Sequence, residues 1–290
     1  MNKQKLVIDH QLSGKRVLLT GATGGIGRAI ARRLAAAGAR LLLVARQPDE
    51  LLLLSQQLPG QHSCFSADLT AVEELQALAT FVQATGGIDV LINNAGISQF
   101  SLTAEQNYQA QLTLNLLAPM QLCQMLLPEL LKRPAATIVN IGSAFGSIGY
   151  PGFSGYCASK FGLRGFTEAL SREVSSKALR VLYFAPRATQ TSINSPAVVA
   201  MNHELGNAMD LPDDVAAELM KQLQTGQRRR YLGFPENLFV RLNALLPALV
   251  DHALGGKLAV IRKYATASKQ SAPVQNNHSN SAEEITATRS

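Results

Sequence analysis

Short apolar segments alternate with longer amphipathic segments along most of this chain, and this alternation most constrains its fold. Residues 15–20 predict a buried strand, and residues 25–37, after a glycine-rich turn, carry apolar side chains at helical spacing. Further strands are predicted at residues 40–44, 63–67, 88–93, 137–142 and 179–185, and further helices at residues 48–57, 72–84, 103–132 and 156–175. Strands separated by helices of this length require a parallel sheet that is covered on both faces. Because such crossovers are right-handed, we predict an α/β fold with a doubly wound, Rossmann-type parallel sheet.

The domain organisation follows from composition along the chain. Residues 12–232 contain no linker, so they predict one dinucleotide-binding domain, followed by a C-terminal helical extension at residues 233–267. Residues 268–290 are polar without an apolar face, which predicts a disordered tail. Within the domain, Pro119 and Pro128 should bend or divide the helix at 103–132. Residues 189–211 have no clear period and predict a mobile loop beside a site.

The charge distribution argues against a nucleic-acid surface. The net charge is +7, but residues 228–265 alone carry 7 basic and 2 acidic side chains, and no basic run is interleaved with stacking rings. The N-terminus is polar and no window of eighteen apolar residues exists, so no membrane span is predicted.

The cysteines and histidines predict neither a disulfide framework nor a metal site. Three cysteines form no CxxC pair, and the histidines considered as ligands lie far apart in sequence. These residues are Cys64, Cys123, Cys157, His62, His203 and His252. A reducing cytoplasm is the compartment that fits best, with peripheral contact at the inner face of the membrane as a further possibility.

The glycine-rich turn predicts a phosphate-binding site. Residues 20–27 read TGATGGIG and join the first strand to the first helix, where backbone N–H groups and the helix dipole favour a pyrophosphate. The spacing is GxxxGxG, and a simple tight turn is the alternative. At the end of the second strand, Arg46 stands where a carboxylate would select NAD, and an arginine there favours the extra phosphate of NADP.

A tyrosine and a lysine lie four residues apart on a predicted helix. Tyr156 and Lys160 would share one helix face, and a cation about 4 Å from the phenol would lower its pKa by about 3 units, close to neutrality. A surface Tyr/Lys pair is the alternative. Ser143 and the NNAG segment at residues 93–96 accompany the pair, and this combination argues for a catalytic site.

These motifs together resemble the classical short-chain dehydrogenase/reductase family over residues 12–232. The resemblance implies the catalytic residues Asn115, Ser143, Tyr156 and Lys160. It implies cofactor contacts at Gly21, Thr23, Gly24, Gly25, Ile26, Gly27, Arg46, Asp68, Leu69, Asn94, Ala95, Gly96, Tyr156, Lys160, Pro186 and Thr191. The family has Pro-Gly after its sixth strand, whereas this chain has Pro186-Arg187, a change that would reshape the carboxamide end of the cofactor pocket.

The chemistry expected of such a site is hydride transfer to a ketone. Ser143 would hydrogen-bond the carbonyl oxygen, Tyr156 would protonate it, and Lys160 would lower the tyrosine pKa. The leading hypothesis is an NADP-dependent reductase of a hydrophobic or lipid-like ketone. The alternatives are an alcohol dehydrogenase running oxidatively, a non-catalytic NADP-binding regulator and a membrane-associated scaffold. The resemblance also implies a homodimer or homotetramer.

The C-terminal extension carries a broad apolar stripe at helical spacing. The stripe consists of residues 238, 239, 242, 245, 246, 249, 250, 253 and 254, with Pro247 as its one interruption. The first hypothesis is that it packs on the core, covers the substrate pocket or joins a partner subunit. The second is peripheral membrane contact through residues 228–265, with the apolar face in lipid and the cations on anionic headgroups.

Overall fold

The computed structural model describes residues 12–175 and 178–270, and its centre is one parallel sheet. The strands are β1 (Arg16–Thr20), β2 (Arg40–Ala45), β3 (Ser63–Ser66), β4 (Val90–Asn93), β5 (Ala136–Ile141), β6 (Leu179–Ala185) and β7 (Arg229–Tyr231). Their order across the sheet is β3-β2-β1-β4-β5-β6-β7, and every neighbouring pair is parallel. The predicted doubly wound sheet is therefore confirmed.

Eleven α-helices lie within the described residues. They are α1 (Gly25–Ala36), α2 (Pro48–Gln57), α3 (Val72–Ala84), α4 (Tyr108–Leu112), α5 (Ala118–Leu131), α6 (Ser154–Glu173), α7 (Pro196–Glu204), α8 (Pro212–Thr225), α9 (Glu236–Leu245), α10 (Pro247–Gly255) and α11 (Leu258–Gln270). No helix in the described part of the chain is long and apolar enough to cross a membrane.

Helices cover both faces of the sheet because its strands are apolar on both sides. On one face of the sheet, the strands pack against α1, α2 and α8. These helices bury Leu34, Leu51 and Leu219 there. On the other face, the strands pack against α3, α5 and α6. This second cluster includes Leu78 and Leu126. Strand order reverses direction between β1 and β4, and the crevice at their carboxyl ends is where such sheets bind ligands.

The long helix predicted at residues 103–132 starts later and is interrupted. Residues 103–105 form a separate 3₁₀ turn, and α4 begins only after Asn107, whose side chain accepts a hydrogen bond from the N–H of Ala110. A π-helical turn, Thr113–Leu117, joins α4 to α5. Pro119 explains the interruption, because it has no N–H to donate to the carbonyl four residues earlier.

The prediction of a loop over residues 189–211 was wrong for the middle of this segment. It contains α7, which begins at Ser195-Pro196 with the serine side chain as N-cap and the proline in the first turn. That dipeptide is a helix-start signal that periodicity alone does not show. Helix α8 and strand β7 were also not predicted, although Pro212 followed by two acidic residues is a similar start signal.

The C-terminal extension forms three short helices whose apolar stripe divides in two. Val240 and Val250 are buried with Ile148 of the domain, and the amide of Asn243 donates to the carbonyl of Ser147 at 2.9 Å. Other members of the stripe face outward, with Leu245 78% and Leu249 58% exposed. Packing on the domain is thus observed for the inner half, and membrane contact through residues 228–265 stays a prediction. Helix α11 runs to Gln270, past the predicted start of the tail, and residues 271–290 lie outside the described residues.

Candidate active site

The glycine-rich turn sits at the carboxyl end of β1 and leads directly into α1. Gly21 has φ of +62° and a Cβ there would lie 2.8 Å from Ala95 Cα, while a Cβ at Gly27 would lie 2.1 Å from the Gly21 carbonyl oxygen. Both positions therefore require glycine. Helix α1 begins after Gly24 without a side-chain cap, so its first N–H groups remain available to an anion.

The NNAG segment supports this turn from the neighbouring strand. The Asn94 amide donates to the Thr20 carbonyl at 2.9 Å and to the Gly21 carbonyl at 3.1 Å. The Thr20 hydroxyl accepts from the N–H groups of Asn94 and Ala95 at 2.9 and 3.0 Å. The segment thus holds the glycine turn against the end of β4. Gly96 is close to Lys160, because a Cβ there would lie 3.6 Å from Lys160 Nζ.

Ser143, Tyr156 and Lys160 all line one cavity of about 540 Å³ beside this turn. Ser143 follows β5 and caps a 3₁₀ turn through its hydroxyl, and Tyr156 and Lys160 lie one helical turn apart on α6. Lys160 is buried, and its ammonium donates to the Ile141 carbonyl at 2.9 Å and lies 5.7 Å from the centre of the Tyr156 ring. Ile26, Asn94, Gly96, Pro186 and Thr191 line the same cavity.

The expected direction of the tyrosine pKa shift was wrong. Burial raises the pKa of Tyr156 to about 12, although the nearby Ser143 side chain offsets part of the rise. The same burial lowers the pKa of Lys160 to about 8. The prediction failed because it counted the attraction of the lysine and left out the loss of hydration of both groups. A phenol with this pKa is protonated at neutral pH and can act as a proton donor.

Asn115 is buried in the π-helical turn and holds the segment that follows β4. Its amide donates to the Ile97 carbonyl at 2.8 Å and to the Ser159 hydroxyl at 3.0 Å, and its oxygen accepts from the Ile97 N–H at 2.8 Å. No hydrogen bond joins it to Lys160 among the described residues. The Asn115 side chain therefore holds the loop that follows β4 against Ser159, the residue before Lys160.

The residues expected at the adenosine end lie at the carboxyl ends of β2 and β3. Arg46 is exposed directly after β2, and its charge together with hydrogen bonds from Thr70 lowers the pKa of Asp68, the hydrogen bonds having the larger effect. Leu69 is buried in the core, so only its backbone could reach a ligand there. Thr23 and Gly24 lie in the turn itself, and the Thr23 carbonyl accepts from Arg28 Nε at 2.8 Å.

Arg187, which replaces the glycine expected from the family, is the centre of an ion-pair network. Its guanidinium donates to Asp210 Oδ1 at 3.0 and 2.8 Å and to Glu236 Oε2 at 3.1 Å. These carboxylates belong to the segment between α7 and α8 and to the start of α9. The guanidinium also donates to the Phe234 carbonyl at 3.3 Å. Arg187 therefore ties the C-terminal extension to the wall of the cavity.

Several residues that line the cavity were not predicted, because they belong to no recognisable sequence motif. Aromatic and aliphatic side chains from three segments of the chain form an apolar wall of the cavity. They are Phe145, Tyr150, Phe153, Val198, Met201, Phe239, Val250 and Leu254. The helix-start signal at Ser195-Pro196 could have located Val198 and Met201, but only the tertiary fold brings the extension to this wall.

A family model described as short chain dehydrogenase matches residues 15–201. The 3-oxoacyl-(acyl-carrier-protein) reductase FabG of Vibrio cholerae serotype O1 is 31% identical over 233 residues, which are 79% of this chain and 93% of that protein. Residues 15–201, which the family model matches, contain the glycine turn, the NNAG segment and the Tyr156–Lys160 pair.

Solved structures give the same result. A short-chain dehydrogenase/reductase from Burkholderia phymatum in complex with NAD has a TM-score of 0.75 at 22% identity, covering 83% of this chain and 96% of its own, which shows the fold. A metagenomic short-chain oxidoreductase in complex with NADP has a TM-score of 0.64 at 29% identity, covering 76% of this chain and 97% of its own. The chain belongs to the short-chain dehydrogenase family.

Proposed function

We propose that the protein is an NADP-dependent reductase that converts an apolar ketone to a secondary alcohol. The observation that carries the proposal is one cavity whose wall holds Ser143, Tyr156 and Lys160 and whose remaining lining is largely apolar. The cavity also reaches Ile26 in the first turn of α1, so a dinucleotide bound at the glycine turn could present its nicotinamide to the same space.

The residues around the turn fit a dinucleotide. Helix α1 has a free N-terminus for the pyrophosphate, and the buried Thr191 hydroxyl has no hydrogen-bond partner among the described residues. Thr191 packs on the glycine turn, since a Cβ at Gly25 would lie 2.5 Å from its methyl group. An unpartnered hydroxyl at this place suits the carboxamide of a nicotinamide. When bound, the reduced nicotinamide supplies the hydride.

In the proposed reaction, the catalytic residues stabilise and then protonate the negative charge that develops on the substrate oxygen. The Ser143 hydroxyl donates a hydrogen bond to this oxygen, and Tyr156 gives up its phenolic proton to it. Lys160, while protonated, stabilises the phenolate that remains. A tyrosine with a pKa of about 12 carries its proton at neutral pH, which is the state that the reductive direction requires. A regulator that only binds nucleotide would not need all three of these groups.

The preference for NADP rests on Arg46. Its side chain is exposed at the end of β2, where the adenosine ribose binds in this fold, and no carboxylate lies within 4 Å of its guanidinium among the described residues. Asp68 is nearby but accepts two hydrogen bonds from Thr70, at 2.9 and 2.7 Å. The free guanidinium can therefore bind the 2′-phosphate.

A substrate screen tests the proposed function. The purified protein would be given NADPH with long-chain 3-ketoacyl thioesters, steroid ketones or small diketones, and NADPH oxidation would be followed by absorbance. We expect turnover of at least one apolar ketone and slower turnover of the small diketones, which cannot fill the cavity. The thioesters are included because the Vibrio cholerae relative is named for that chemistry. Absence of NADPH oxidation with every class would contradict the proposal.

We also propose that the protein is a homodimer or homotetramer formed through the α4–α5 and α6 helices. Leu112, Leu117 and Phe161 on these helices are 36%, 46% and 41% exposed, and burying them on a second copy would be favourable. Analytical ultracentrifugation should give a mass that is a multiple of 31.1 kDa, and Leu117→Glu should shift it toward the monomer. A wild-type monomer at micromolar concentration would contradict the assembly.

A further inference from the structure

A cluster of polar groups lies in the cavity beyond the aromatic wall. Its members are Tyr150, Asn202, Asn207 and Lys257, which all line the cavity that holds Tyr156. Lys257 comes from the C-terminal extension, just before α11, and the two asparagines come from the end of α7 and the segment that follows it. None of these residues belongs to the motifs that identify the family.

Lys257 is a partly buried cation with few partners. Its ammonium can donate three hydrogen bonds, but among the described residues it makes one, to Asn207 Oδ1 at 3.5 Å. Among the described residues no carboxylate lies within 4 Å of this ammonium, since Glu204 is bound by Lys263 and Tyr264 instead. A partly buried cation without an anionic partner can pair with an anionic group on a ligand.

Tyr150 adds a hydrogen-bond donor to the cluster, and Asn207 contacts the ammonium through its side-chain oxygen. The Tyr150 hydroxyl is buried beside the Asn207 side chain, but no partner in the described chain meets it with good hydrogen-bond geometry. The Asn207 amide donates to Asn202 Oδ1 at 3.1 Å, and this bond turns its oxygen toward Lys257. The cluster thus offers a cation and a phenolic donor to one acceptor group, whereas it holds no negative charge.

Stacked rings separate this cluster from the catalytic tyrosine. The Tyr150 ring is 4.7 Å from the Phe145 ring and 6.1 Å from the Phe153 ring. Both phenylalanine rings are 6.5 Å from the Tyr156 ring. The rings of Phe145 and Phe153 thus form an apolar surface between the hydroxyls of Tyr150 and Tyr156. A ligand that reached both hydroxyls would lie along this surface, with Val198 and Met201 beside it.

We infer that Lys257, Tyr150 and Asn207 form a second recognition site, and that the substrate is an apolar ketone with a carboxylate several carbons from its carbonyl group. One cation matches a monoanion, whereas a phosphate of nearly two charges would require more positive groups. The inference rests on the proposed ketone reduction and specifies its substrate class.

Matched substrates test this site. Long-chain keto acids and their methyl esters would be compared by kcat/KM in the wild type, in Lys257→Met and in Arg262→Met. Arg262 is an exposed cation on α11 and serves as the control. We expect the wild type to prefer the acid by about tenfold, as for one charged hydrogen bond, and Lys257→Met to bring the ratio near one. The control should keep the wild-type ratio. A wild-type ratio near one, or an unchanged ratio in Lys257→Met, would overturn the inference.

Two further measurements keep the test decisive. If Lys257→Met does not fold, Tyr150→Phe removes only a hydroxyl and should lower the acid preference about threefold. If no ketone is reduced, the proposed function fails by itself, and calorimetric binding of dodecanoate and methyl dodecanoate then tests the site without turnover. Weaker dodecanoate binding in Lys257→Met would support the site, and equal binding would reject it.

Discussion

The carboxyl edge of the sheet and the C-terminal extension contribute to the same cavity in different ways. The edge places Ser143, Tyr156 and Lys160 at fixed positions because β5 and α6 are held by buried hydrogen bonds and core packing. The extension contributes mainly shape, through short helices that bury residues such as Val250 against the domain. Reactive groups thus lie on rigid elements, and the part that can vary the substrate lies on a peripheral segment.

The largest difference between the two regions should appear when the phenolic hydroxyl is removed. Tyr156→Phe should lower kcat for ketone reduction by about 10³-fold, because the proton donor is lost while the ring and its packing remain. Tyr150→Phe is the matched control, since it removes a phenol from the same cavity but not from the catalytic group. Steady-state NADPH oxidation measures both. Comparable kcat losses in the two variants would contradict the assignment of Tyr156 as the proton donor.

The second test concerns the cofactor end of the sheet edge. Arg46→Ala should reduce the preference for NADPH over NADH by about 10- to 100-fold in kcat/KM, the value of one or two charged hydrogen bonds. Arg40→Ala removes another exposed arginine at the opposite end of β2 and should leave the ratio unchanged. A wild-type enzyme that prefers NADH would show that Arg46 does not bind the phosphate.

Local chemistry made the sheet edge predictable from sequence. The glycine turn, the NNAG segment and the Tyr156–Lys160 spacing each have a local physical reason, so their positions followed once the strands were assigned. The cavity wall was not predictable in the same way, because Phe239 and Leu254 reach it only through tertiary packing of the extension. Apolar periodicity identified a buried stripe, but it could not separate buried Val250 from exposed Leu249.

The tyrosine pKa shows a different limit of sequence reasoning. Spacing placed Lys160 near the phenol, and the structure confirms that proximity at 5.7 Å from the ring centre. The sign of the shift depended on burial, which spacing does not report. Arg187 shows the same limit. The sequence revealed that an arginine replaces the family's glycine, but it did not reveal the ion pairs of Arg187 with Asp210 and Glu236.

The third test uses the pH dependence expected from the proposed role of Lys160. Burial lowers the pKa of Lys160 to about 8, so the ammonium is present below that pH and is lost above it. We expect kcat/KM for reduction to fall about tenfold per pH unit above about 8, because the charge that stabilises the phenolate disappears. Lys160→Arg keeps its charge and should remove this fall, although its rate is lower. A profile that stays flat in the wild type from neutrality into the alkaline range would contradict this assignment.

The smallest expected effect distinguishes the two faces of the extension itself. Val250 is 3% exposed and Leu249 is 58% exposed, although they are adjacent on α10. Val250→Ala should lower the free energy of unfolding by about 2 kcal/mol through lost burial, whereas Leu249→Ala should change it by less than about 0.5 kcal/mol. Urea denaturation followed by circular dichroism measures both, and KM for the apolar ketone should rise only in Val250→Ala. If the two variants were equally stable, the extension would not pack on the domain as described, and the shape of the cavity would have to come from the sheet edge alone.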